Sequence, residues 1–478
     1  MRTDKLRSSV LFIGLLFLSH VLHAQNTQTL VSETLIKEYS KQQLSFLLNA
    51  IGQRELADRV EHGIKAYKIT YKTKDINSQE SLASGLIVIP ANNNCSWSLM
   101  TYLHGTVVKK DDVPSKFSNE AQLGSFGAAI VGAVVALPDY LGLGDSPGLH
   151  PYMHAKTEAS ASLDMLRATK EFCQKYSIYL NDDLFIFGYS QGGHATLALH
   201  QLIEKEHADE FNIKYSIPMS GPYDLSGVQK DLVLGDDEYP NPFYVPYVIL
   251  SYHSIYPSLN DCPVEDLFAN PYNSVSNYFT GQLSTDQINA YLPKKPKDML
   301  KANFYTDFIN NSNNPLRLAL KENDLTDWTP KAPIHFYYCG GDKQVSPENS
   351  MDAHEKMNAV QGTNVEITNV GDLFDHTTCQ IPSLTRALNT FKIQATPCNL
   401  SVEKQESVSH KISPNPSNNQ FSIKSDVHYN MTIHALNGQM LLNTSIKPGP
   451  NTIDISNLDP GVYLVKCGSN TRKLVINR

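Results

Sequence analysis

Short apolar runs that alternate with helical periods constrain this chain more than any other feature. Residues 99–103, 129–137, 184–187, 215–219 and 334–338 are such runs, each too short for a buried helix and bounded by turn residues. Between the second and the third, residues 157–176 place Ala159, Leu163, Leu166 and Cys173 on one face of a helix. Strands separated by amphipathic helices pack as a mostly parallel sheet covered on both faces, so the fold class is α/β. Two earlier stretches, 67–73 and 82–89, alternate apolar and polar residues and predict antiparallel strands at the start of that sheet. Residues 30–62, with Leu44, Phe46, Leu47 and Leu48 set among polar residues, read as helical.

The run 184–187 leads directly into Gly188-Tyr189-Ser190-Gln191-Gly192, and a helical stretch, 194–206, follows. Glycines at both ends permit a tight strand-to-helix turn that lifts the Ser190 hydroxyl clear of the sheet, the nucleophile elbow of an α/β-hydrolase fold. A hydroxyl needs a base, and the base needs a carboxylate to orient it. In this fold the chain order is Ser, acid, His. Asp342 follows the strand-like run in Tyr338-Cys339-Gly340-Gly341-Asp342, and His376 follows the strand-like 365–370 in Phe374-Asp375-His376. Asp375 is the rival acid, but its adjacency to His376 makes it hard to orient the ring. His194 lies in the helix after the elbow, which turns it away from the hydroxyl and gives it a packing role. The expected oxyanion donors are the backbone amides of Gln191 and of Thr106, in the strand-end segment His104-Gly105-Thr106. An ordinary turn is the alternative for that segment.

Residues 221–330 break the alternation with a Tyr-, Pro- and Asn-rich stretch containing Tyr239, Phe243, Tyr244, Tyr247, Tyr252 and Tyr256. It predicts an inserted cap over the active site, with aromatic packing of purely structural purpose an equal alternative. Arg2, Lys5 and Arg7, an apolar stretch over 10–18 and small or polar residues to Ala24 make residues 1–24 an export signal. No later segment approaches the roughly twenty apolar residues of a membrane span, so no transmembrane segment is expected in the mature protein. The catalytic domain is expected over 25–400 and a linker over 401–408. Residues 409–478, with turns at Asn437-Gly438, Pro448-Gly449 and Pro460-Gly461, predict a small C-terminal β-sandwich.

The net charge of −8, without a concentrated basic run, argues against a nucleic-acid partner. Seven cysteines in an exported chain permit disulfides and leave at least one thiol unpaired, with Cys467 the candidate. No Cys-x-x-Cys or His-Glu-x-x-His spacing marks a metal site, and no cofactor is expected.

Together with the elbow, the segments 138–145 (Pro-Asp-Tyr-Leu-Gly-Leu-Gly-Asp) and His150-Pro151-Tyr152 resemble the secretory lipase family of α/β hydrolases over roughly residues 60–395. The resemblance implies a capped serine hydrolase that needs no metal and acts on a small-molecule or lipid ester. Ile412-Ser413-Pro414-Asn415-Pro416, Asn437-Gly438-Gln439 and the segment 458–463 are similar to sorting domains that direct proteins of Bacteroidetes to the type IX secretion machinery. That implies passage through the periplasm and outer membrane, to the medium or the cell surface. A serine peptidase on the same fold, a non-catalytic adhesion protein, and a carbohydrate-binding role for the C-terminal module are the competing readings.

Overall fold

Leu30–Tyr39, expected to be helical, is a strand. This strand, β1, pairs antiparallel with β2 (Ile64–Lys74) from Leu30 opposite Tyr71 to Tyr39 opposite Ile64. Val31, Thr34 and Ile36 branch at Cβ, which favours the pleated edge over a helix. The helix starts only at Lys41, where the Ser40 side chain accepts from the Gln43 amide and Gln43 returns the bond to the Ser40 amide. The computed structural model describes residues 28–92, 95–360, 362–397, 412–425, 429–436, 439–467 and 470–478. The expected export signal, the linker over 401–408 and the Asn437-Gly438 turn lie outside the described residues.

The chain divides into two compact units, one ending at Cys398 and the other beginning at Asn399. In the first, β3 (Glu80–Pro90), β4 (Ser96–Leu103), β5 (Ala133–Pro138), β6 (Tyr179–Tyr189), β7 (Ile213–Met219), β8 (Ile334–Tyr338) and β9 (Val365–Asn369) complete a nine-stranded sheet of order β1-β2-β3-β5-β4-β6-β7-β8-β9. The first three strands and the β3–β5 pair are antiparallel, and from β5 onward every neighbour is parallel. Residues 129–131, expected to open β5, instead lie in the helical turn Gly127–Val131. Gly132, at φ 77°, then turns the chain into the strand.

Successive residues of β6 point to opposite faces, and each face meets a different set of helices. Leu184 and Ile186 pack with Leu163, Leu166, Phe172, Leu199 and Ile203 of the helices Ala155–Lys175 and Gln191–Glu206. Phe185 and Phe187 pack with Leu384, Leu388 and Phe391 of the helix His376–Gln394. Because β4 lies between β5 and β6, the chain reverses direction across the sheet there. The C-terminal ends of such strands border a crevice where open α/β sheets bind ligands. The segment joining β7 to β8 is helical and builds its own apolar core from residues such as Phe243, Tyr247, Ile249, Tyr252 and Phe268.

The second unit contains β10 (Gln420–Ser425), β11 (Tyr429–Ala435), β12 (Met440–Ile446), β13 (Gly449–Asp454), β14 (Gly461–Cys467) and β15 (Asn470–Ile476). β10 pairs with β13, and β12-β11-β14-β15 form an antiparallel sheet. Phe421, Ile423, Ile433, Val465 and Leu474 fill its core, and Cys467 is buried among them. No helix among the described residues is long and apolar enough to cross a membrane.

Candidate active site

Ser190 joins β6 to the helix Gln191–Glu206 with φ 60° and ψ −122°, a conformation that costs a non-glycine residue about 1–3 kcal/mol. The turn closes only because its flanking residues lack side chains. A Cβ on Gly188 would lie 2.3 Å from Gly192 O, and one on Gly192 would lie 1.8 Å from Leu103 O.

Asp342 lies in the turn after β8, and His376 opens the helix after β9. The Ser190 hydroxyl donates to His376 Nε2 at 2.9 Å, and His376 Nδ1–H donates to Asp342 Oδ2 at 2.6 Å. A carboxylate only accepts, so the imidazole proton sits on Nδ1 and Nε2 is left as the acceptor. The other Asp342 oxygen accepts from the amides of Gln344 and Val345, each at 2.9 Å. Asp375 is engaged elsewhere. It caps the helix, accepting from the Thr378 amide at 2.8 Å and from the Thr378 hydroxyl at 2.7 Å. Those bonds hold its carboxyl below the usual Asp range.

Gly105 is pressed against the elbow, where an added Cβ would lie 3.4 Å from Tyr189 O and 3.8 Å from Ser190 Cβ. The Thr106 hydroxyl bonds the Tyr152 hydroxyl at 3.0 Å. Gln191 is the first residue of its helix, so its amide has no intrahelical acceptor. The segment 138–145 braces the 104–106 turn from behind. His104 Nε2 faces Asp139 O at 3.2 Å, and the Tyr140 hydroxyl donates to His104 O at 3.3 Å.

Beneath the elbow lies a buried polar cluster that sequence reasoning missed. His194 Nδ1–H donates to Glu158 Oε2 at 2.7 Å, and Nε2–H donates to Asn323 O at 2.9 Å. His194 therefore forms a buried ion pair with Glu158 instead of the plain packing contact expected. Burial pushes the Glu158 carboxyl up, but the charge and hydrogen bond of His194, with the Gln191 amide, bring it below its ordinary value. The Gln191 side chain donates to Glu158 Oε1 and to His150 Nε2, both at 2.8 Å. One signal was available: Glu158 shares the buried stripe of Ser162 and Leu166, at intervals of four residues, where a charge needs a partner.

Burial also pushes the imidazoles of His150 and His154 down to about 4. The unfolded chain takes up these protons near the ordinary value of 6.5, so between the two values it binds more protons than the folded chain. Stability must then fall as the pH is lowered through that window, by up to about 3 kcal/mol for each group. Thermal midpoints measured from pH 7 to pH 4 are expected to drop steadily, and a flat profile would contradict the burial of both rings as neutral species.

A disulfide joins Cys339 to Cys379. It ties the turn of Asp342 to the helix of His376, each cysteine three residues from its site residue. Cys95 is also disulfide-bonded, and Cys173 is a buried thiol. Closing a loop of 40 residues stabilises the fold by about 4 kcal/mol in the chain-entropy treatment. Cys339→Ala with Cys379→Ala should lower the unfolding free energy by about that amount in a urea titration. A change below about 1 kcal/mol would show that the bridge does not restrain the unfolded chain.

An apolar cavity of about 100 Å³ opens at Ser190, walled by Tyr152, Leu225, Tyr244, Val248, Phe304 and Leu320 among others. It has room for roughly three water-sized groups. Of the six aromatic residues singled out in the 221–330 insertion, Tyr244 lines the cavity, while Phe243, Tyr247 and Tyr252 are buried in the insertion's core. Among the described residues no group of three or more His, Cys, Asp or Glu side chains could hold a metal ion.

Comparison with known proteins agrees with this architecture. A Legionella pneumophila protein described as a hydrolase matches at 27% identity and a TM-score of 0.71, covering 77% of this chain and 100% of that one. The rice cell wall degrading esterase LipA from Xanthomonas oryzae matches at 26% identity and a TM-score of 0.66, covering 77% and 97%. Candida antarctica lipase A in its closed state shares the fold at 16% identity and a TM-score of 0.57, covering 78% and 84%. No curated protein matches the sequence. A secretion system C-terminal sorting domain is recognised over residues 411–477, and the secretory lipase family over residues 127–392. The chain belongs to the secretory lipase family and carries a C-terminal sorting domain that indicates secretion.

Proposed function

We propose that this protein hydrolyses carboxylic esters through an acyl-enzyme on Ser190, with His376 as general base and Asp342 as the acid that orients it. The observation that carries this reading is the unbroken chain of hydrogen bonds from Ser190 through His376 to Asp342. Ser190 Oγ attacks the ester carbonyl and passes its proton to His376 Nε2, and Asp342 stabilises the imidazolium. The oxyanion is met by the backbone amides of Gln191 and Thr106. Collapse breaks the bond to the alcohol, which leaves with the proton from His376. Water then repeats the sequence on the acyl-serine and releases the acid.

The acyl chain lies in the apolar cavity, whose walls favour hydrocarbon over charge. That LipA from Xanthomonas oryzae is an esterase supports the ester as substrate. Catalysis belongs to residues 25–400, and residues 409–478 engage the secretion machinery that carries the protein from the periplasm across the outer membrane. Hydrolysis of chromogenic esters of increasing acyl length, beside a peptide amide, tests the assignment. Ester turnover without amide turnover is expected. Amide cleavage at comparable rates, or inert esters, would overturn it.

A further inference from the structure

An ester has two halves, and the apolar cavity suits only one of them. Outside the residues that line that cavity, a polar pair, Glu120 and Gln380, lies on the Gly105 side of Ser190. The position next to Gly105 Cα, where a Cβ would stand, is 3.8 Å from Ser190 Cβ and 4.0 Å from Glu120 Oε1. The Glu120 carboxylate and Ser190 thus approach the same side of Gly105. Gln380 lies one turn beyond His376 on the same helix face, and its Nε2 donates to Glu120 Oε1 at 3.2 Å. Glu120 Oε2 accepts from the Tyr102 hydroxyl at 2.7 Å and from the Gly105 amide at 3.4 Å. These bonds fix the carboxylate in place. Glu120 and Gln380 are each only partly buried, and a carboxylate with about four acceptor sites retains capacity at Oε1.

We propose that Glu120 and Gln380 form the subsite for the alcohol half of the ester and select alcohols that keep free hydroxyl groups, as glycerol and sugars do. The proposal rests on the ester-hydrolase reading above and adds to it the chemistry of the leaving group. With the acyl chain in the cavity, the alcohol departs from the tetrahedral centre in another direction, and the Gly105 side carries the Glu120 carboxylate and the Gln380 amide. A plain alkyl group there would strip water from a carboxylate and return no hydrogen bond. A hydroxyl replaces that water by donating to Glu120 Oε1, and it can exchange a further bond with the Gln380 amide. An anionic alcohol half would meet like charge.

The test compares butyrate esters of ethanol, glycerol and glucose on the purified full-length enzyme and on its Glu120→Gln and Gln380→Leu variants. The hydroxylated esters are expected to exceed the ethyl ester in kcat/KM by about tenfold, mostly through KM. Both variants should shrink that ratio several-fold, lowering turnover of the ethyl ester far less. A preference for glycerol alone, or for glucose alone, supports the subsite and names its alcohol. Equal kcat/KM on all three esters overturns the proposal. So does a loss in the same proportion on every ester, which would mean that Glu120 only braces the Gly105 turn. An enzyme that cleaves none of the three, ethyl butyrate included, fails at the earlier step of ester hydrolysis itself.

Discussion

Ser190→Ala lowers ester turnover by about four to six orders of magnitude, because it removes the attacking oxygen while the hydrogen-bond donors around it stay in place. The loss should fall on kcat, with KM little changed, since the apolar cavity and its walls are untouched. Little packing volume is removed, so the thermal midpoint should stay close to that of the unaltered protein. More than a few per cent residual activity in a folded variant would remove Ser190 from the mechanism.

Asp342→Asn has the next largest effect. An amide in place of the carboxylate can present its NH₂ to the ring, and His376 then carries its proton on the nitrogen that must accept from Ser190. Turnover should fall by up to about four orders of magnitude. Asp375→Asn should cost far less, because Asp375 is occupied with the Thr378 amide at the helix start and asparagine caps helices comparably. Turnover of one soluble ester by both variants, matched for thermal stability, separates the two acids. Inactivity of Asp375→Asn beside a near-normal Asp342→Asn would reverse the assignment.

The elbow was legible in the sequence because steric contact dictates it. Backbone oxygens stand where Cβ atoms on Gly188 and Gly192 would have to be, and this leaves a trace as a spacing of glycines. The parallel strands were legible for a similar reason, since burial on both faces demands uninterrupted apolar runs. β1 was not, because it borders a true helix and its own burial is slight: Leu30 is its only fully buried residue. The polar clusters were hidden more deeply. Glu158 meets His194 across 36 positions, and Glu120 meets Gln380 across 260. Residue type alone does not say which distant side chain completes such a pair. The aromatic residues of the insertion share this difficulty, because the side-chain direction that puts Tyr244 in the cavity and Tyr247 in the core is set by tertiary packing.

The central claim is that Ser190 carries the acyl group, and the most direct test is the mass of the protein after reaction with an alkyl phosphonate ester, which traps an activated serine as a stable adduct. One adduct per chain is expected, on the peptide containing Ser190, with ester turnover falling in step with its formation. An unmodified Ser190 in a protein that still hydrolyses esters, or inactivation through an adduct elsewhere, would contradict the account.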